Sequence, residues 1–151
     1  AANPAALATL QDLAKPGVKL VLAAAEVPVG QYALDFLGKA AQDAAFPAGY
    51  QDAVLANVVS YEANVKAVVN KVALGEADAG IVYGSDLSGS HAAELLQLAI
   101  PDALNVTAVY PLAAVQDSSQ VQLAAEFVAF TLSPAGQATL LEFGFAPPPL
   151  P

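Results

Sequence analysis

Three positions combine residue type and spacing in a way that could hold an anion. Tyr83 sits in the run GIVYGSD over residues 80–86, so a phenol stands at the mouth of a strand-to-helix turn. Its hydroxyl can donate a hydrogen bond to a ligand. Val29, followed by Gly30, and Val65, preceded by Asn64, each open a helical stretch shortly after a strand-like run. The first N–H groups of a helix have no partner inside it and lie at its positive end. In an α/β sheet these helix starts gather at the carboxyl edge of the strands, where ligands bind. Two helix starts and a phenol would make a socket for a small oxyanion. Helix starts that merely hold water, and a core tyrosine with a satisfied hydroxyl, would leave the same residue pattern. The residues alone keep both readings open.

Other candidates carry less chemistry. His91, in SGSHAAE, lies in a polar stretch and reads as a surface histidine. Ser85 and Asp86 read as caps of the turn that follows Tyr83. A serine hydrolase would need a G-x-S-x-G elbow and a suitably ordered histidine, and GSDLSGSH offers neither. Asp78 and Asp86 flank one strand, but closeness in sequence does not make a catalytic pair. GEADAG lacks the glycine spacing and the lysine of a phosphate loop. Lys66 could draw anions to the helix start at Val65, although a solvated lysine is the simpler reading. No catalytic set emerges, and the residues point to a protein that is not an enzyme.

Charge narrows the choice. Among 151 residues, 14 are acidic and 5 basic, giving a net charge of −9. All the basic residues are lysines, and the last is Lys71. Nucleic acid needs several cations to neutralise phosphates, so it is excluded as a partner. Without arginine no bidentate clamp can grip an anion, which leaves backbone N–H groups and hydroxyls. With no cysteine there is no disulfide, thiolate metal site or cysteine nucleophile. Charges and prolines interrupt every apolar run, so no segment reads as a membrane span. The absence of a start methionine and of a signal-like segment suggests a mature or trimmed chain.

The elements that would position these residues alternate between strand and helix. Residues 1–17 read as a short helix capped by Asn3, with Pro4 in its first turn. Strands are expected at 18–23, 53–59, 79–83 and 95–99. Residues 106–115, interrupted by Pro111, suit an edge or crossing segment. Tyr32, Ala33, Phe36, Leu37 and Ala40 make a helical stripe. Asn64 caps the helix carrying Val65, Val68, Val69 and Val72, and Gly75 ends it. Two helices close the chain, at about 119–132 and from Ser133 to about Phe143. The first has apolar residues on more than one face and calls for cover on two sides. The fold class is therefore α/β, a mixed β-sheet flanked by helices on both faces.

EVPVGQYA (26–33), SYEANVKAVVNKVALGEADAGIVYGSD (60–86) and FTLSPAGQATLLEFGF (130–145) together resemble the periplasmic molybdate-binding proteins of ABC importers. The resemblance runs from about Asn3 to Phe145. It implies a two-lobed, type II solute-binding fold that closes on molybdate or tungstate with neutral donors. Carried over by position, the oxyanion-binding groups are the N–H of Val29, the N–H of Val65 and the hydroxyl of Tyr83. No cofactor is implied, and metal enters only as the oxyanion. Residues 1–112 would be the second, ligand-binding lobe, 113–145 a return segment belonging to the first lobe, and 146–151 a proline-rich tail. Most of the first lobe would be missing, so the chain would be a fragment bearing a half-site. The implied partner is a membrane permease, with the exposed surface covered by a homo-oligomer as a further option. The implied location is periplasmic or extracellular, with a lipid anchor on the full-length protein as one form. A binding protein for sulfate, or a ligand-sensing module of a transcription regulator, is the alternative.

Overall fold

A computed structural model describes residues 3–87 and 94–148. It divides into two compact units, one running to Val106 and one from Thr107 onward.

The first unit is built on three parallel strands: β1 (Leu20–Ala23), β2 (Val58–Glu62) and β3 (Ala79–Gly80), in the order β2-β1-β3. Leu20 pairs with Val58 on one side and Ala79 on the other. A register shift after Leu20 brings Val21 opposite Ser60. Every residue of β1 is buried, as expected of a central parallel strand covered on both faces. Successive side chains point to opposite faces, so Leu20 and Leu22 enter one apolar cluster and Val21 and Ala23 another. On the first face lie α1 (Pro28–Ala40), α2 (Tyr50–Ala56) and a 3-10 helix, Leu10–Ala14, contributing Phe36, Leu37, Tyr50, Val54 and Leu13. On the second face lies α3 (Val65–Ala73), through Val68.

The chain leaves β1 through α1 and α2 to reach β2, then returns through α3 to β3 on the far side of β1. Connections therefore run in opposite senses from β1. An open parallel sheet has its ligand crevice at such a switch, outside the carboxyl ends of the strands.

The α/β class holds, and both strand pairs among the described residues are parallel. Several element boundaries differ from the sequence expectation. Residues 53–59 split between the end of α2 and the start of β2. Tyr50 and Val54, four apart, are both fully buried, and the Tyr50 hydroxyl donates to Leu10 O at 2.7 Å. These long-range contacts select a helix where a short apolar run is ambiguous. The side chain of Asn57 closes that helix by donating to Leu13 O and Lys15 O, both at 2.8 Å. Asn3 does not cap a helix. Its amide accepts from Leu7 N at 2.9 Å and donates to Leu7 O at 2.7 Å, a local pairing that competes with helix formation. The 3-10 helix begins only at Leu10, where Asp12 accepts from the N–H groups of Ala8 and Thr9. No strand forms over 95–99 or 106–115, and β3 ends at Gly80.

The second unit holds α4 (Val121–Leu132) and α5 (Pro134–Glu142). Ser133 joins them: its Oγ donates to Phe130 O at 2.6 Å and accepts from Gly136 N at 3.2 Å. Tyr110 and Phe145 meet edge to face, with ring centroids 6.0 Å apart. α4 buries none of its residues, and Phe127 is 60% exposed.

Candidate functional site

The carboxyl edge of the sheet carries all three residues singled out in the sequence. Val29 occupies the second position of α1, after Pro28. Val27 has no side chain able to cap the helix, and the N–H groups of Gly30 and Gln31 both turn back to Val27 O. Among the described residues the N–H of Val29 has no acceptor. The Val29 side chain is buried in the second cluster, and this anchors the direction of that N–H.

Gly30 is what lets α1 start so close to β1. A Cβ there would stand 2.1 Å from Ala24 O and 2.5 Å from Ala23 O. A glycine early in a helix costs stability, so its presence signals close backbone approach. Gly80 follows the same rule, since its Cβ would meet Val68 Cγ1 at 2.6 Å. The sequence reading missed both roles, although glycine inside a helical or strand pattern is a visible clue.

At α3, Asn64 is the cap: its Oδ1 accepts from Ala67 N at 2.9 Å. The N–H of Val65 has no acceptor among the described residues, and its side chain packs on the same second cluster. Tyr83 follows β3 and joins that cluster as well. Its N–H donates to Asp86 Oδ2 at 3.0 Å, and its carbonyl accepts from Asp86 N at 3.1 Å. The structure thus brings Val29, Val65 and Tyr83 around one apolar nucleus, Val21, Ala23 and Val68.

Glu62, the last residue of β2, is held in an ion pair. The Lys71 ammonium lies 2.6 Å from the Glu62 carboxylate and 3.0 Å from Ser60 Oγ. The Lys71 hydrogen bond, aided by that from Ser60, holds the Glu62 carboxyl below its ordinary value. Burial pushes the Asp86 carboxyl upward, against the pull of the Tyr83 N–H. Lys66 is exposed on the first turn of α3.

The remaining candidates fall away from this edge. Asp78 sits at the opposite end of β3 from Asp86 and accepts from Lys19 N at 2.8 Å, so the two carboxylates do not form a pair. Ser85 and Asp86 lie in a 3-10 turn, Gly84–Leu87. His91 lies outside the described residues. A cavity of about 820 Å³ runs beside β3, lined by α3 and residues 94–100. It touches Tyr83 but neither Val29 nor Val65. Among the described residues no cluster of three or more histidine, aspartate or glutamate side chains could hold a metal ion. No helix among them is long and apolar enough to cross a membrane.

A parallel sheet wound to both sides of its first strand is a framework on which small-ligand receptors are built. The chain belongs to the family described as bacterial extracellular solute-binding protein, whose family model matches residues 1–146. It is similar to the molybdate-binding protein ModA of Mycobacterium tuberculosis and of Mycobacterium bovis. Each is 36% identical over 148 residues, covering 98% of this chain and 52% of the relative. The chain therefore spans about half the length of these curated relatives. Among solved structures, it is similar to a substrate-binding domain assigned to a molybdenum ABC transporter of Clostridium difficile. That match has a TM-score of 0.75 and 27% identity, covering 96% of this chain and 60% of the other.

Proposed function

We propose that this chain supplies one wall of a molybdate or tungstate site in the solute-binding component of an ABC importer. The observation that supports this reading is that Val29 and Val65, at the starts of two helices, and Tyr83, after β3, all pack on one apolar cluster at the carboxyl edge of the sheet. Each helix start presents roughly half a positive charge. A dianion there meets fixed dipoles that need no reorganisation, and the apolar nucleus beneath keeps them aimed. The two curated relatives are molybdate-binding proteins by name, which favours that ligand.

In this reading residues 1–112 form the ligand-binding lobe. Residues 113–145 return to a first lobe, which would also cover the apolar residues of α4. The lobes close over the oxyanion, and the closed form is what a membrane permease recognises in a periplasmic or extracellular setting. Binding and release are the whole chemistry, with no catalytic step and no cofactor.

Calorimetry on the protein as its gene encodes it, with molybdate, tungstate, sulfate and phosphate in turn, tests the proposal. We expect molybdate and tungstate to bind far more tightly than the others. Replacing Tyr83 by Phe removes one donor and should cost roughly 0.5–3 kcal/mol of binding. Indifference to both metal oxyanions would sink the reading, and preference for sulfate would redirect it to another oxyanion.

A further inference from the structure

β3 is the last strand on its side of the sheet, and among the described residues no strand pairs with its outer edge. Strand-like packing nevertheless continues past Gly80. Ala79 and Ile81 pack on the first apolar cluster and Val82 on the second, the alternation of a strand covered on both faces. Ala79 N donates to Lys19 O, beside β1, at 3.3 Å, so the N–H groups of Gly80 and Val82 face the open edge. Among the described residues the N–H of Val82 has no acceptor.

The cavity of about 820 Å³ runs along this edge. Val68 and Val72 line it from one face of the sheet, and Leu7 and Leu10 from the other, so it lies in the plane of the sheet. Strands lie about 4.8 Å apart, layers about 10 Å apart and residues about 3.3 Å along a strand, so one strand residue fills about 160 Å³. The cavity therefore holds about five residues, a common strand length. Residues 94–100 form a further wall. The sequence expects a strand over 95–99, yet residues 96–100 join no helix or strand, and Leu95, Leu98 and Ile100 are only half-buried.

We propose that this cavity is the slot for one more strand, supplied by an extended segment of the same gene product outside residues 1–151. Such a strand would pair with the open edge of β3 and give 95–99 the neighbour it lacks. A small apolar molecule would fill the volume but leave the Val82 N–H unpaired, which a buried backbone group rarely tolerates. The chain spans 52% of the curated relatives and 60% of the solved structure it resembles, so those proteins hold further chain from which a strand can come. The charged residues of the described lining, Asp78 and Glu94, are both acidic, which calls for an apolar segment without carboxylates. This inference stands apart from the oxyanion reading, and no ligand enters its test.

Amide exchange and cross-strand NOEs, measured on the protein as its gene encodes it, decide the matter. We expect the Val82 amide to exchange about 10-fold or more slowly than an open edge amide, the factor one net backbone hydrogen bond contributes. Its cross-strand NOEs should lead to a residue outside 1–151. Free exchange at Val82 overturns the proposal, as do NOEs from it to another part of residues 1–151. A mixed sample of labelled and unlabelled copies identifies NOEs between molecules, and finding them at Val82 refutes the assignment to the same polypeptide. A gene that encodes nothing beyond these residues refutes it too.

Discussion

Replacing Gly30 by Ala tests whether α1 starts where the crevice requires. In an ordinary helix interior the change stabilises by about 0.5–1 kcal/mol, because alanine loses less backbone freedom on folding. At Gly30 the new methyl would stand 2.1 Å from Ala24 O and 2.5 Å from Ala23 O. Both obstacles are backbone, so neither can rotate aside. The Ala24 carbonyl is further tied down by accepting from Val27 N at 2.9 Å. Relief needs a displacement on the order of 1 Å, and overpacking of this kind costs about 1–3 kcal/mol, with the lost turn bond adding about 1. The net expectation is a loss of about 2 kcal/mol. At a urea m-value of about 1.5 kcal/mol/M that lowers the unfolding midpoint by roughly 1.3 M. Gly38, on the same helix, has nothing within 4 Å of its would-be Cβ and serves as the control. Gly38→Ala should raise the midpoint by roughly half a molar at the same m-value, using the propensity gain alone. Denaturant unfolding followed by circular dichroism reads both. If Gly30→Ala is as stable as the unaltered chain, α1 is not seated against β1 in this way and the placement of Val29 N–H loses its basis.

Three further outcomes follow from the same structure. Asn64→Ala should cost about 1 kcal/mol in denaturant unfolding, since it leaves Ala67 N without its cap, whereas Asn64→Asp should retain most of that stability. Glu62, held below its ordinary value by Lys71 and Ser60, contributes stability that is present above the unfolded value of about 4.5 and is lost as pH falls through the folded one. Lys71→Met should move the Glu62 carboxyl titration upward in carbon NMR, and an unmoved titration would dissolve the pair. Burial pushes the Tyr50 phenol up to about 12, so its contribution is intact below about pH 10 and is lost as pH rises toward 12. Tyr50→Phe should flatten that alkaline loss in thermal melts, while costing about 1 kcal/mol at neutral pH for the bond to Leu10 O.

The parts of the fold that were legible in the sequence are those written in local chemistry. Val29 before Gly30, Asn64 before Val65 and Ser133 before Pro134 each mark a helix start, and each lies within a residue or two of one. Gly75, at φ +74°, ends α3 for the reason its position suggested. Residues 53–59 misled because AVLANVV suits either structure until Tyr50 and Val54 find their buried partners, which lie elsewhere in the chain. Asn3 misled because an amide can pair with Leu7 as readily as it can cap. The positions of Val29, Val65 and Tyr83 at the carboxyl edge were legible one by one. Their surroundings were not: the closeness that demands Gly30, and the ring of Tyr32 against Tyr83, exist only after distant segments meet.

The central claim concerns particular atoms, and amide NMR addresses them. The ¹⁵N–¹H signals of Val29 and Val65, with the Tyr83 ring, should be followed as molybdate is added to the protein as its gene encodes it. The account predicts that both amide protons move downfield together with the Tyr83 resonances, along one saturating curve. Saturable binding that leaves Val29 and Val65 unmoved, with the shifts gathered on other residues, would contradict it.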